Sequence, residues 1–257
     1  MTPDLMQRTV LVTRPLQQAA GLAQAIQAAG GAAFVFPALA IEAVAPATLR
    51  VPLAQLAAAD SVIFISPNAA QFGMAALHSG GCALPAAAQY FAVGPGTARA
   101  LAEHAVTDVI TPDGQDSEAL LALPQLHDVA GKRVLIVRGV GGRSLLADTL
   151  RERGATVDYL ECYRRVRPEA DATALLASWQ AGGIDAVTVT SAETLHNLAA
   201  QLGEAGRSLL THTPLFVPHE KIAAAARHFG IAEVIATAGG DAGLVDGLIN
   251  WFRKPHD

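Results

Sequence analysis

The sequence predicts an α/β protein built from two similar units, each a parallel β-sheet with helices between its strands. Three observations predict it: an internal repeat, short β-branched runs alternating with longer helical patterns, and polar or glycine-rich turns placed just after the apolar runs. The repeat is the firmest of these. Val10-Leu11-Val12-Thr13-Arg14 matches Val134-Leu135-Ile136-Val137-Arg138, and Asp60-Ser61-Val62-Ile63-Phe64-Ile65-Ser66 matches Asp185-Ala186-Val187-Thr188-Val189-Thr190-Ser191. Phe91-Ala92-Val93 falls on Leu215-Phe216-Val217, and Asp108-Val109-Ile110 on Glu233-Val234-Ile235. Four segments keep their order at offsets of 124 or 125, so the 257 residues are two copies of a unit of about 125 residues.

In the first copy the strand signals fall near 9–13, 33–37, 61–65, 90–93 and 107–110. Between the first two, Leu22 and Ile26 lie one helical turn apart and place a helix over Gln17–Ala29. In the second copy the strands fall near 133–137, 156–161, 186–190, 214–217 and 233–236, and Leu145, Leu146 and Leu150 mark a helix over 143–153. Five strands with intervening helices is the flavodoxin-like or Rossmann-like plan, which binds ligands outside the carboxyl ends of its strands, where strand order switches. That rule selects Thr13-Arg14-Pro15, Ser66-Pro67-Asn68, Gly94-Pro95-Gly96-Thr97, Arg138 to Arg143, Ser191-Ala192-Glu193 and Pro218-His219-Glu220-Lys221. Taken singly, Ser66, Thr97 and Ser191 also fit plain helix N-caps.

Composition excludes several classes. With 51% hydrophobic and 16% charged residues the chain has ample material for a core, although 53 alanines inflate the first figure. Residues 61–98 lack Asp, Glu, Lys and Arg, yet Pro67, Asn68, Gln71, His78, Pro85 and Gln89 break them, so no membrane span is expected. Met1–Arg8 shows no secretory pattern, and Cys82 and Cys162 have no metal-spaced partners, which reads as a cytoplasmic protein with two reduced thiols and no metal. Gly94 and Gly96 begin a dinucleotide fingerprint that Arg99 breaks, and GxxxxGK[ST], HExxH and GxSxG are absent.

Charge is uneven. Nine of the 18 basic residues lie in 132–167 against four acids, so that window carries +5 and the rest −10. Such a basic middle suits an anionic ligand. Arg151 and Arg153 read as a solvated helix face, whereas Arg138 and Arg143 flank a Gly-Val-Gly-Gly turn whose backbone N–H groups can face an anion.

These residues together resemble the uroporphyrinogen-III synthase family. The resemblance runs nearly end to end and rests on the order and spacing of several short motifs. They are Val12-Thr13-Arg14-Pro15, Pro37, Phe64-Ile65-Ser66-Pro67-Asn68-Ala69, Ala92 to Ala98, Ser117 to Leu121, Val137-Arg138-Gly139 with Gly142-Arg143, Cys162-Tyr163-Arg164-Arg165, and Val189-Thr190-Ser191. It implies two flavodoxin-like domains across an open cleft, joined by two linker strands near 38–44 and 161–168 that act as a hinge. The expected domains are interleaved: 1–39 with 166–257, and 40–165. The residues alone leave two sequential domains equally open.

The implied reaction is cyclisation of hydroxymethylbilane, a linear tetrapyrrole with eight carboxylates, to uroporphyrinogen III, with loss of water and inversion of the last ring. It needs no cofactor, in keeping with the absent motifs. The resemblance also implies a monomer that binds neither nucleic acid nor membrane and meets the upstream bilane-forming enzyme transiently. Tyr163 matches the family's cleft-facing linker tyrosine and is the candidate for assisting hydroxide departure; a packed strand tyrosine is the alternative. Ser66, Asn68, Gly94, Thr97, Arg138, Arg143 and Ser191 match cleft-loop positions, and Arg14 and Lys221 are the further carboxylate contacts. Lys221 stands where bacterial relatives often have Arg, which replaces a bidentate clasp by a point charge. A two-lobed binding or sensor protein without catalysis shares the same plan and is the competing reading.

Overall fold

The computed structural model describes residues 5–114 and 116–253. Residues 1–4, Gln115 and 254–257, which the expected domain ranges include, lie outside the described residues. The first part of the chain forms β1 (Thr9–Val12), α1 (Leu16–Ala28), β2 (Ala32–Val35), β3 (Ala40–Ala43), α2 (Pro46–Leu56), β4 (Ser61–Phe64), α3 (Pro67–Ser79), β5 (Gln89–Ala92), α4 (Pro95–Ala102), β6 (Val109–Ile110) and α5 (Ser117–Leu121). After a 3₁₀ turn come β7 (Arg133–Gly139), α6 (Leu145–Glu152), β8 (Thr156–Val166), α7 (Thr173–Gln180), β9 (Ala186–Thr188), α8 (Ala192–His212), β10 (Leu215–Val217), α9 (Glu220–Phe229), β11 (Val234–Ala236) and α10 (Gly240–Phe252).

The chain divides into two compact units, one of residues up to Ala40 with those from Val166 onward, the other Ile41–Arg165. In the first, the sheet order is β11-β10-β9-β1-β2, with each described pair parallel. Numbered by their place in the chain, these strands give 2-1-3-4-5, the flavodoxin-like order, with its switch between β1 and β9. Alternate residues of β1 feed two cores, as a strand covered on both faces requires. Leu11 packs with Leu175 and Trp179 of α7 and Leu195 and Leu198 of α8, whereas Val10 and Val12 pack with Leu22 and Ile26 of α1 and Leu244 and Leu248 of α10. The β1–β9 seam is closed at its end by buried threonines. Thr13 Oγ1 donates to Thr188 O at 2.7 Å and Thr188 Oγ1 to Leu11 O at 3.0 Å.

In the second unit the order is β3-β8-β7-β4-β5-β6. Its inner run β8-β7-β4-β5-β6 is the same pattern entered from a different strand, so the switch lies between β7 and β4. One face packs Phe64, Val137 and Leu160 against α3, and the other packs Ile63, Phe91 and Ile136 against Leu146 and Leu150 of α6. Strand β8 runs to Val166, beyond the expected end at 161, and its far half lies beside β3. Arg164 Nη2 meets Glu42 Oε2 of β3 at 2.9 Å, and Val44 N–H donates to Cys162 O at 3.0 Å.

Small residues set the spacing of α3. Ala69 and Ala70 are fully buried, and a Cβ on Gly73 would sit 2.7 Å from Val137 Cγ1, well inside contact distance. A Cβ on Gly96, by contrast, would meet Pro67 Cγ at an ordinary 3.7 Å. We therefore expect Gly73→Ala to destabilise the protein by about 1–3 kcal/mol through overpacking, and Gly96→Ala to stay within about 0.5 kcal/mol of the parent. Chemical unfolding of the two variants measures the difference; equal stability would show that α3 can move away from β7 at no cost.

Candidate functional site

In the 41–165 unit, the candidate residues gather at the carboxyl ends of β7, β4 and β5. Ser66 follows β4, caps α3 and accepts the Ala69 N–H on its Oγ at 3.0 Å. The same Oγ lies 3.1 Å from the Tyr163 hydroxyl. Ser66 is thus an N-cap, as its position allowed, and also the partner of the tyrosine. Asn68 lies in the first turn of α3. Gly94 caps α4, and Thr97, only 2% exposed, donates its N–H to Gly94 O at 3.1 Å. Burial turns Thr97 into a support for this loop.

Tyr163 reaches Ser66 because β8 carries one extra residue. Strands β7 and β8 pair in step as far as Arg138 with Glu161, and the next pair is Gly139 with Tyr163. Cys162 is left over as a β-bulge, and consecutive side chains that would otherwise alternate then face the same helix. Cys162 Sγ lies 3.8 Å from Ala69 O, and the Tyr163 ring packs on Phe72 with centroids 5.7 Å apart. The ring also lies against the backbone of Gly139, where a Cβ would come within 2.6 Å of two ring carbons and 3.1 Å of the hydroxyl. Tyr163 is 3% exposed. Burial pushes the neighbouring Cys162 thiol up to about 12, so it stays protonated and inert.

The structure alters the expectation for Arg138. Its guanidinium is buried and turned inward: Nε donates to Gly139 O at 3.1 Å, Nη1 to Arg143 O at 3.3 Å, and the group stacks 4.7 Å over the Tyr159 ring. Glu161 Oε1 lies 3.8 Å from Nε and also accepts the Gly141 N–H at 3.3 Å. Arg138 therefore ties both ends of the Gly139–Arg143 turn together, and one of the N–H groups expected to face an anion is already occupied. Gly142, at φ +96°, leaves the room this needs, since a Cβ there would sit 2.8 Å from Arg138 Nη2. Arg143 is exposed, and its guanidinium has no partner among the described residues. Arg151 and Arg153 do more than solvate a helix. Arg151 donates to Val157 O at 2.9 Å, and Arg153 to Leu121 O and Leu126 O at 2.9 and 2.8 Å.

In the other unit, Arg14, Ser191 and Lys221 follow β1, β9 and β10, on both sides of that sheet's switch point. Ser191 caps α8, accepting the Thr194 N–H at 3.0 Å, with Thr194 Oγ1 at 2.8 Å. Lys221 is exposed in the first turn of α9, with no partner among the described residues. Arg14 pairs with Asp241 of α10. No bond joins Arg14, Ser191 and Lys221 to one another among the described residues, whereas Ser66 and Tyr163 meet directly.

Sequence reasoning missed Asp241, Tyr159 and Glu161, and, for Gly139, its contact with the Tyr163 ring. Asp241 could have been found, because Gly239-Gly240-Asp241 is another glycine turn from a strand into a helix; the other three depend on the register of β8. Among the described residues no group of three or more His, Cys, Asp or Glu is placed to hold a metal, and no helix is long and apolar enough to cross a membrane.

The chain is similar to known proteins over most of its length. The family model described as uroporphyrinogen-III synthase HemD matches residues 20–246. The uroporphyrinogen-III synthase of Salmonella typhimurium is 38% identical over 231 residues, covering 88% of this chain and 93% of the relative. That of Escherichia coli is 36% identical over 229 residues, with coverage of 88% and 93%. Among solved structures, a mutant uroporphyrinogen III synthase from Thermus thermophilus is similar with a TM-score of 0.63 at 23% identity, over 96% of this chain and 98% of that one. One from Helicobacter pylori gives 0.56 at 14% identity, over 95% and 98%. At such identities the two structures speak for the fold alone.

The thiols provide a direct check of the packing around Tyr163. Cys82 is half-buried and Cys162 buried. A thiol reagent at pH 8 should titrate one cysteine in the native protein and both after denaturation. Rapid reaction of Cys162 in the native state would contradict the packing of β8 against α3.

Proposed function

Because the chain belongs to the uroporphyrinogen-III synthase family, we propose that it cyclises hydroxymethylbilane to uroporphyrinogen III, acting as a lyase with inversion of the last pyrrole ring. The single observation that supports a chemical role for this site is the Ser66–Tyr163 hydroxyl pair at the carboxyl end of β4. Ser66 Oγ already accepts the Ala69 N–H, so its own proton is available to Tyr163. With Ser66 donating, the phenol proton is free to serve a third oxygen.

That oxygen is the substrate's hydroxymethyl oxygen. Its C–O bond breaks as the pyrrole nitrogen lone pair pushes out the leaving group, and a proton delivered by Tyr163 lets it depart as water. The azafulvenium-like cation that remains is attacked by the substituted carbon of the last ring. The resulting spiro intermediate opens and recloses through the free α-carbon of that ring, now inverted, and the proton this carbon loses replaces the one that Tyr163 gave up. The pyrroles supply the electrons, so the protein's task is to hold a flexible polyanion in one conformation and exclude the uninverted closure.

Carboxylates are the handles for that hold. We assign them to the exposed Arg143 and Lys221, to Arg14, and to the helix-start groups at Ser66, Asn68, Gly94 and Ser191. Arg138 and Thr97 act at one remove, by fixing the turns that carry these donors. The reading also takes the enzyme to be a cytoplasmic monomer supplied by a transiently bound bilane-forming enzyme.

Purified protein given fresh hydroxymethylbilane, without metal or nucleotide, should yield the type III isomer. Formation of the type I isomer alone at the spontaneous rate would leave a binding protein as the better reading. Tyr163→Phe should lower kcat several-fold or more with the melting temperature nearly unchanged, and an unaltered kcat would reduce Tyr163 to a packing residue.

A further inference from the structure

We propose that Asp241 occupies the seat of a substrate carboxylate on Arg14, and that substrate binding exchanges one carboxylate for the other. The proposal rests on the reading of Arg14 as a substrate contact. Arg14 follows β1 at the switch point of its sheet, and its side chain is only 15% exposed. Its charge is met by one carboxylate oxygen, Asp241 Oδ1, through Nη1, while Nε is buried and has no acceptor among the described residues. A guanidinium is built to meet a carboxylate edge on, with two parallel bonds. Here it makes one, so the pair is incompletely matched and a better-placed carboxylate has more to offer.

Asp241 has somewhere to remain when released. It lies in the first turn of α10, where the helix N–H groups and dipole favour a negative side chain whether or not Arg14 is present. Its side chain is 36% exposed, which leaves it open to solvent on one side. Space is reserved for it as well: a Cβ on Gly21 of α1 would come within 2.9 Å of Asp241 Oδ2. In the free protein Asp241 keeps a largely buried cation from standing unpaired. It also sets a threshold. A simple monocarboxylate competes poorly against a tethered carboxylate at high effective concentration, whereas a polycarboxylate anchored elsewhere can displace it.

The experiment uses the full chain with Asp241→Asn, Arg14→Ala and the double variant. Steady-state kinetics with hydroxymethylbilane are read beside isothermal titration with benzenehexacarboxylate, a stable polycarboxylate that needs no turnover. We expect D241N to lower KM about threefold or more, the change falling on KM and not on kcat, and to tighten benzenehexacarboxylate by a similar factor. The gain should vanish in the double variant. If D241N does not melt cooperatively, D241S, which keeps a polar helix start, carries the same expectation. An unchanged or raised KM in D241N, with R14A weakened, overturns the exchange and makes Asp241 a strut for Arg14. Wild-type KM and wild-type titration in R14A overturn it differently, by removing Arg14 from the site.

Discussion

One surplus residue in β8, opposite the step from Arg138 to Gly139, governs the arrangement of the strand-end site in residues 41–165. Without the bulge at Cys162, alternation would place Cys162 and Tyr163 on opposite faces of the sheet, and only one could meet α3. With it, the thiol packs beneath Ala69 and the phenol reaches the Ser66 cap. The ring can lie there only because Gly139 presents bare backbone. Three local choices, a bulge, a glycine and a serine cap, thus position one hydroxyl.

The same neighbourhood explains the use of basic residues. Of the cations between 132 and 167, Arg138, Arg151, Arg153 and Arg164 are engaged with backbone carbonyls or carboxylates of their own unit. Arg138 and Arg151 also share the Tyr159 ring. Their work is to fix loops whose N–H groups, caps and remaining charges can then face an anion. The net +5 of that window overstates what is left for a ligand; Arg143 is one member that stands exposed beyond a strand end. A turn fixed before binding loses less entropy when it binds, which suits an enzyme whose substrate is itself a floppy chain.

Much of the architecture was legible in the sequence because parallel strands buried on both faces are written as compact β-branched runs. Val10–Val12, Val62–Phe64, Val134–Val137 and Leu215–Val217 each announced a strand within a residue or two of its bounds. The strand-end turns were legible too, since Ser66 and Ser191 must cap helices there. The far half of β8 was not: the residues themselves ended the strand near 161, the resemblance alone implied a linker strand beyond it, and Glu42 of β3, the partner that Arg164 meets there, lies far away in the sequence. Register was equally hidden. No local pattern marks Cys162 as surplus, and so neither the inward turn of Arg138 nor the contact of Tyr163 with Gly139 could be foreseen. The pairing of Arg14 with Asp241 joins residues far apart in the chain and depends on α1 and α10 covering the same face of the sheet.

If the bulge and Gly139 exist to place the Tyr163 hydroxyl, a double-mutant cycle on kcat between Gly139→Ala and Tyr163→Phe tests that most directly. Gly139→Ala alone should lower kcat about as far as removing the hydroxyl does, because the new methyl group displaces the ring. In the Tyr163→Phe background the same glycine change should lower kcat no further, since no hydroxyl remains to be displaced. Effects that instead multiply, each change costing its full factor in the presence of the other, would contradict this arrangement and assign Gly139 a role of its own.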